Sequence, residues 1–527
     1  MAPRSPIHWF RLPLSRRRLL QSAASLGALS AIRPFGALAQ QDGNILRVRS
    51  YSDIDTLDPA FSTGVNDEEV QSCIYLKLVT YDPGSWDWRL DAAESISQTE
   101  PTRIEFTLKP GLQWSDGYGE VTAEDVKFSF ERIIDPDVDS PNKPDWGTLD
   151  HVEVTGTHSG VIVLKEPFQP LWTIALPYIV GNIVCKKAVE EAGGRIGLEP
   201  VAVAGPYTVK EHQAKQRTVL APNPAWQGPP PAFQEIHILP IDDEKTAEIA
   251  FEAGDIDFTR VSVSSLEQFL ANPPANSTVK EFPSLFYVWV GMNLENEQLQ
   301  NENLRKAIQY AIDVPSILEA AYFGMAEPAT GIIAPGLIGH RDQSLVPPEA
   351  NFEKARELLD EAGLSNVNLT LDVLNKTTNV SAAQIIQATL ANVGINVEIN
   401  LHESGAFWSL GDEAEGERYK DIQLILNRFS MTPDPYYATS WFTTEQVGVW
   451  NWERFSNEEF DRLHTQAKVE TDPEKRAGMY RRMQDIMEES GAYRFITHEV
   501  NPVIYRNTIE PALRPDGLPL IRFFDQA

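Results

Sequence analysis

The sequence predicts an α/β protein with more than one hydrophobic core, and three observations carry that reading. Its 527 residues exceed what one core ordinarily organises, so two or three domains are expected. Leu369 to Leu374 alternates as a strand, Ser381 to Val393 is helical, Gly394 stops it, and Ile395 to Ile399 alternates again. That rhythm is βαβ logic and calls for a partly parallel sheet covered by helices. Leu285 to Val290 is an unbroken apolar run, rich in aromatic and β-branched residues and too short for a globular helix. It fits a strand buried on both faces, and it stands where turn-rich, β-leaning sequence gives way to helix-rich sequence.

The first 39 residues are a sequence apart. They hold six arginines and no acid, then a weakly apolar stretch from Leu19 to Ile32, then Ala37-Leu38-Ala39. The small-x-small ending fits a signal peptidase site, with cleavage after about Ala39. Ser15 to Leu20 (SRRRLL) resembles the twin-arginine export motif, with the Sec route as the alternative.

Ile45 to Ser50 alternates as a first strand, and Glu69 to Leu78 reads as a helix. Ile104, Phe106 and Leu108 form a half-buried strand, Pro110-Gly111 a tight turn, and Leu112 and Trp114 resume the apolar face, which predicts a hairpin. Thr122 and Asp125 then make a capping box for a helix burying Val126, Phe130 and Ile133. After the crossing strand, Leu304, Ala307, Ile308, Ala311 and Ile312 share one helical face, and Asp313 with Pro315 opens a further helix that Gly324 closes. Phe352 to Ala362 is amphipathic and ends at Gly363. A strand from Ile422 to Leu426 runs into Asn427 to Pro435, and two late helices follow, one capped by Ser456 with Glu459, the other starting near Asp472-Pro473. The proline-rich tail is expected to pack back on the first lobe.

Composition narrows the function. With 45 basic against 75 acidic residues the formal charge is −30, and removing the six leader arginines takes it to about −36, which disfavours nucleic acid and anionic lipid as partners. The nine histidines are scattered, and neither a zinc motif, a nucleophile elbow nor a phosphate-binding loop is present, so no metal or cofactor is expected. The many carboxylates leave a secreted glycan hydrolase with paired acids as the competing reading. Cys73 and Cys185 are either a pair in an oxidising compartment or two separate buried thiols.

As strings, the segments are more specific. Phe106 to Gly117 (FTLKPGLQWSDG) with Thr122 to Arg132 (TAEDVKFSFER) resembles the segment shared by the peptide/opine/nickel class, family 5, of ABC-transporter solute-binding proteins. Gly205-Pro206-Tyr207, Asn223 to Trp226, Phe251 to Asp257 (FEAGDID), Asn303 to Asp313 and Phe455 to Asp461 resemble further family segments in the same order. The resemblance implies a two-lobed periplasmic binding protein fold of type II with a subdomain inserted in lobe I. Residues 40–80 and 204–292 would form lobe I, 81–203 the insertion, 293–498 lobe II, and 499–527 a return to lobe I. It implies a monomeric receptor that hands a peptide-like or amino-acid-derived solute to an inner-membrane permease and its ATPase. Oligosaccharides and metal chelates are the other ligands of the class, and a chaperone or sensory role is also compatible.

The same resemblance directs attention to Arg428 to Asp434, just beyond a predicted parallel strand. In the family's peptide-binding members, an aspartate three residues before the Asp-Pro pair holds the ligand's ammonium; here that position is Met431. Arg428 then meets a ligand carboxylate, stacks on a ring, or makes a structural salt bridge. Ser62-Thr63-Gly64 resembles the loop that meets the ligand with backbone groups. Trp441, Trp450 and Trp452 suit either a flat-walled pocket or the core, and Tyr287 either the cleft or the core. The expected binding set is Thr63, Gly64, Tyr287, Arg428, Phe429, Met431, Asp434, Trp450 and Asn451.

Overall fold

A computed structural model describes residues 44–527. The expected export signal and its cleavage after Ala39 lie outside the described residues. Two large sheets organise the chain. In the first, of seven strands, Ile45–Ser50 lies at the centre, parallel to both Glu235–Pro240 and Phe258–Arg260. Antiparallel strands complete both flanks, and Val503–Arg506, from the tail, pairs with Phe258–Arg260. In the second, of five strands, Val367–Leu374 runs parallel to Ile395–His402 and Leu424–Ser430, as the βαβ rhythm requires.

The strand Pro283–Met292 is buried along nearly its whole length because both of its faces carry apolar residues. Val288, Val290 and Met292 enter one core, whereas Leu285, Tyr287 and Trp289 enter another on the opposite face. A lobe boundary at Met292 would leave this strand in the first lobe. Its hydrogen bonds go instead to Leu424–Ser430 and Tyr493–Val500, so the chain crosses before Pro283, and it recrosses between Val500 and Val503. The two crossings lie side by side, with Asn501 N–H donating to the Phe282 carbonyl at 2.7 Å.

Residues between the first strands hold a third, four-stranded antiparallel sheet packed against helix Ala123–Ile134, with its own core around Phe130 and Trp146. The Thr122/Asp125 capping box forms. Cys73 and Cys185 are free thiols in two different cores.

Three local expectations are corrected. The first helix is Val65–Ile74, because Tyr75 turns extended and Leu76–Lys77 pairs with Asn182–Ile183 as a short strand. Arg103–Leu108 pairs with Ala93–Glu100 and Ser159–Leu164 rather than with Leu112 and Trp114. After the turn, whose Gly111 has φ of 82°, the chain folds onto residues 119–121 instead. Helix Glu458–Val469 is capped by Asn457, which accepts from Phe460 N–H at 3.0 Å, since the Ser456 hydroxyl is engaged with Thr444 and Glu459 with Arg482.

Candidate functional site

Both large sheets end their parallel strands on one cleft. From the first sheet come Arg49 and Arg260; from the second, Lys376 to Thr378 and Ser430 to Pro433, each at or just beyond a carboxyl end. This is where open α/β sheets place ligands, because loops diverge there and leave backbone groups free. The cleft has a main chamber of about 530 Å³, a second of about 490 Å³ and an aromatic annex of about 280 Å³. Phe286 lines all three, and the hinge residue Asn501 lines the two larger ones.

The structure brings together five of the nine expected residues. Thr63 and Met431 line the main chamber, and Arg428, Phe429 and Trp450 line the annex. Gly64 flanks Thr63 as the N-cap of helix Val65–Ile74, where an added Cβ would overlap the Asn66 side chain. Arg428 is already paired: it donates to both carboxylate oxygens of Glu499 at 2.7 Å and stacks over the Phe286 ring at 3.6 Å. Its expected encounter with a carboxylate is thus satisfied within the protein.

Three expected residues are corrected to structural positions. Tyr287 is 1% exposed and stacks on Trp289, because alternation along the strand turns Phe286, not Tyr287, toward the cleft. Asp434 is 0% exposed, accepts from Arg476 at 2.7 and 2.9 Å, and caps the next helix through Tyr436 N–H. It also accepts from Thr173 of the inserted sheet's subdomain at 2.9 Å. Asn451 is fully buried and spends its amide on the carbonyls of Phe442, Thr443 and Phe455. Trp452 is likewise core, whereas Trp441 and Trp408 join Trp450 in the annex.

Sequence reasoning missed Arg49, Glu69, Arg260 and Phe286. The rule that ligands sit at the carboxyl ends of parallel strands points to both arginines, since Arg260 closes the strand after Phe251 to Asp257. Arg49 is buried, donates to the carbonyls of Ile241 and Asp242 at 2.8 and 2.9 Å, and has its pKa lowered chiefly by burial. Arg260 lies between the two larger chambers, and burial lowers its pKa also. Glu69 is buried beside them with one carboxyl oxygen unpartnered, and desolvation pushes its pKa up to about 7. Arg514 and Asp516, deeper in the main chamber, pair at 2.6 Å. Burial works against the Arg514 charge, but the neighbouring Asp516 carboxylate outweighs it.

Among the described residues no group of three or more His, Cys, Asp or Glu side chains is placed to hold a metal ion. The cleft can therefore offer a solute aromatic walls, guanidinium groups and backbone polar groups from two opposed lobes.

Comparison with known proteins agrees with this geometry. The glutathione-binding protein GsiB of Salmonella paratyphi A is 26% identical over 475 residues, covering 88% of this chain and 90% of its own. The probable D,D-dipeptide-binding periplasmic protein DdpA of Escherichia coli K12 is 28% identical, covering 86% and 88%. Among solved structures, HbpA2 from Haemophilus parasuis superposes with a TM-score of 0.82 at 22% identity, covering 92% of this chain and all of that one, and the periplasmic murein tripeptide binding protein MppA with a TM-score of 0.78 at 20% identity, covering 92% and 97%, which establishes the periplasmic binding protein fold. These relatives are binding proteins, and they give no support to the glycan-hydrolase alternative. Residues 88–448 match the family described as "Bacterial extracellular solute-binding proteins, family 5 Middle", and the chain belongs to the family 5 solute-binding proteins.

Proposed function

We propose that this protein is the exported receptor of an ABC importer, capturing a peptide-like or amino-acid-derived solute between its lobes and delivering it unaltered to an inner-membrane permease and its ATPase. The observation that carries the reading is the cleft itself: two sheets present their carboxyl ends to it, and among the described residues the covalent links between their lobes are two adjacent strand crossings. Such a waist lets the lobes close on a solute that contacts both walls, so binding shifts the population toward the closed form. The relatives named for glutathione and for a D,D-dipeptide support a peptide-like ligand. In this reading residues 1–39 are a twin-arginine signal removed after Ala39, and the mature receptor is a monomer without enzymatic activity.

The test is to incubate purified protein with di- and tripeptides, glutathione among them, and record both thermal stability and products. Stabilisation without cleavage is expected. Turnover of any peptide would overturn the reading.

A further inference from the structure

The cleft is electrostatically at odds with the molecule around it. The chain has a formal charge of −30, yet its first-sheet wall presents two guanidinium groups that make no ion pair among the described residues. Arg49 is held by two backbone carbonyls, which take up two of its five N–H donors and cancel no charge. Arg260 has neither an ion pair nor a side-chain hydrogen bond among the described residues, and it lines both larger chambers. An arginine cannot shed its proton to escape burial, so such a site favours an arriving anion.

Two of the four acids that line the cleft are committed. Asp516 is bound to Arg514 and Glu499 to Arg428. The other two are not: buried Glu69 lacks a partner for one oxygen, and Glu244, exposed at the second chamber, makes no ion pair among the described residues; both lie near Arg49 and Arg260 as counter-charges. Ser430 to Pro433, which lines the main chamber from the second lobe, contains no carboxylate. Unmet donors complete the pattern: the indole N–H of Trp441 in the annex and the hydroxyl of Thr432 in the main chamber are buried without partners. A solute that satisfies these groups is rich in acceptors, and a free ammonium would be placed beside two like charges.

We infer that the solute is an N-blocked carboxylate, an N-acylated amino acid or short peptide without a free ammonium, whose carboxylate docks on Arg260 and whose aromatic or apolar side chain fills the annex of Trp408, Trp441 and Trp450. A guanidinium matches a carboxylate through two parallel hydrogen bonds, and the annex walls gain contact area with a flat ring at low entropy cost. This inference rests on the peptide-like reading above.

Calorimetric titration of the full protein with four probes tests it: N-acetyl-Ala-Phe, Ala-Phe, and the C-terminal amide of each. N-acetyl-Ala-Phe is expected to bind at least about tenfold more tightly than either Ala-Phe or its own amide. Arg260→Gln should remove the preference for acid over amide, and Arg260→Lys should restore part of it; thermal unfolding of both variants checks that they remain folded. Equal affinity for Ala-Phe and N-acetyl-Ala-Phe, or an equal loss for acid and amide in Arg260→Gln, overturns the inference and leaves the peptide-like reading standing. Failure of all four probes to bind overturns both.

Discussion

Phe286 and Tyr287 are neighbours in one strand and serve opposite faces of it. Phe286 lines every chamber of the cleft and carries the Arg428 guanidinium on its ring. Tyr287 packs on Trp289, and its hydroxyl reaches the Ala438 carbonyl only at 3.5 Å. Phe286→Ala should therefore weaken solute binding by about tenfold, or ~1.4 kcal/mol. Tyr287→Phe should leave affinity unchanged and lower stability by less than about 1 kcal/mol, because that hydrogen bond is long. Titration calorimetry and urea unfolding read the two effects. Asp434 separates structural from binding roles in the same way. Among the described residues its carboxylate is the sole acidic partner of buried Arg476, so Asp434→Ala should cost about 3–5 kcal/mol in urea unfolding by stranding that charge. The run from Arg428 to Asp434 was legible as cleft-lining sequence, but nothing in it distinguishes Met431, which lines the chamber, from Asp434, which is locked behind it. Burial is a property of what packs on a residue, and here that is a helix some 40 positions further along the chain.

At the scale of elements, the strand Pro283–Met292 shows how a two-faced core strand is held. Glu453 reaches into the core to accept from the Trp289 indole N–H at 2.8 Å, and it occupies the space an added Cβ at Gly291 would need. Burial raises the Glu453 pKa from 4.5 to about 7. The folded state therefore binds a proton that the unfolded chain releases between about pH 4.5 and 7. The associated stability is fully present below 4.5 and is lost as pH rises through about 7. Glu453→Gln keeps the acceptor for Trp289 without that titration. Between pH 5 and pH 8, wild type should lose stability relative to Glu453→Gln, as chemical denaturation at the two pH values would show. Two buried imidazoles act in the opposite sense. Desolvation lowers His464 to about 4 and His498 to about 3, so their contribution is present above pH 6.5 and is lost as pH falls toward those values. Element types were largely readable from periodicity and caps, whereas partners were not. Arg103–Leu108 looked like half of a hairpin with Leu112 and Trp114, yet it pairs with Ser159–Leu164, a strand more than fifty residues away.

For the whole molecule, the two crossings beside Phe282 and Asn501 form a waist at one side of the cleft. Elsewhere the inserted subdomain touches the second lobe: Tyr437 donates to Asp145 at 3.1 Å, Lys468 pairs with Glu166 at 2.7 Å, and Phe168 meets Tyr436 edge to face. Closure must bend the waist and let these polar contacts slide. A saturating solute should reduce the radius of gyration in solution scattering and raise the melting temperature together. At a free concentration 100 times Kd the stabilisation should be about 2.7 kcal/mol. A solute that stabilises without contraction would show that it sits on one lobe alone.

The sequence by itself determined the α/β class, the parallel logic of the second sheet, the two-faced crossing strand and the family, because these depend on local periodicity and on ordered motifs. It also indicated the segment that lines the cleft. Tertiary structure decided which side of each strand meets the solute, which charges are already paired and which are not. Arg428 and Arg260 are indistinguishable as residue types; one finds Glu499 across the second sheet, the other makes no ion pair among the described residues, and only the packing of distant strands sets that difference.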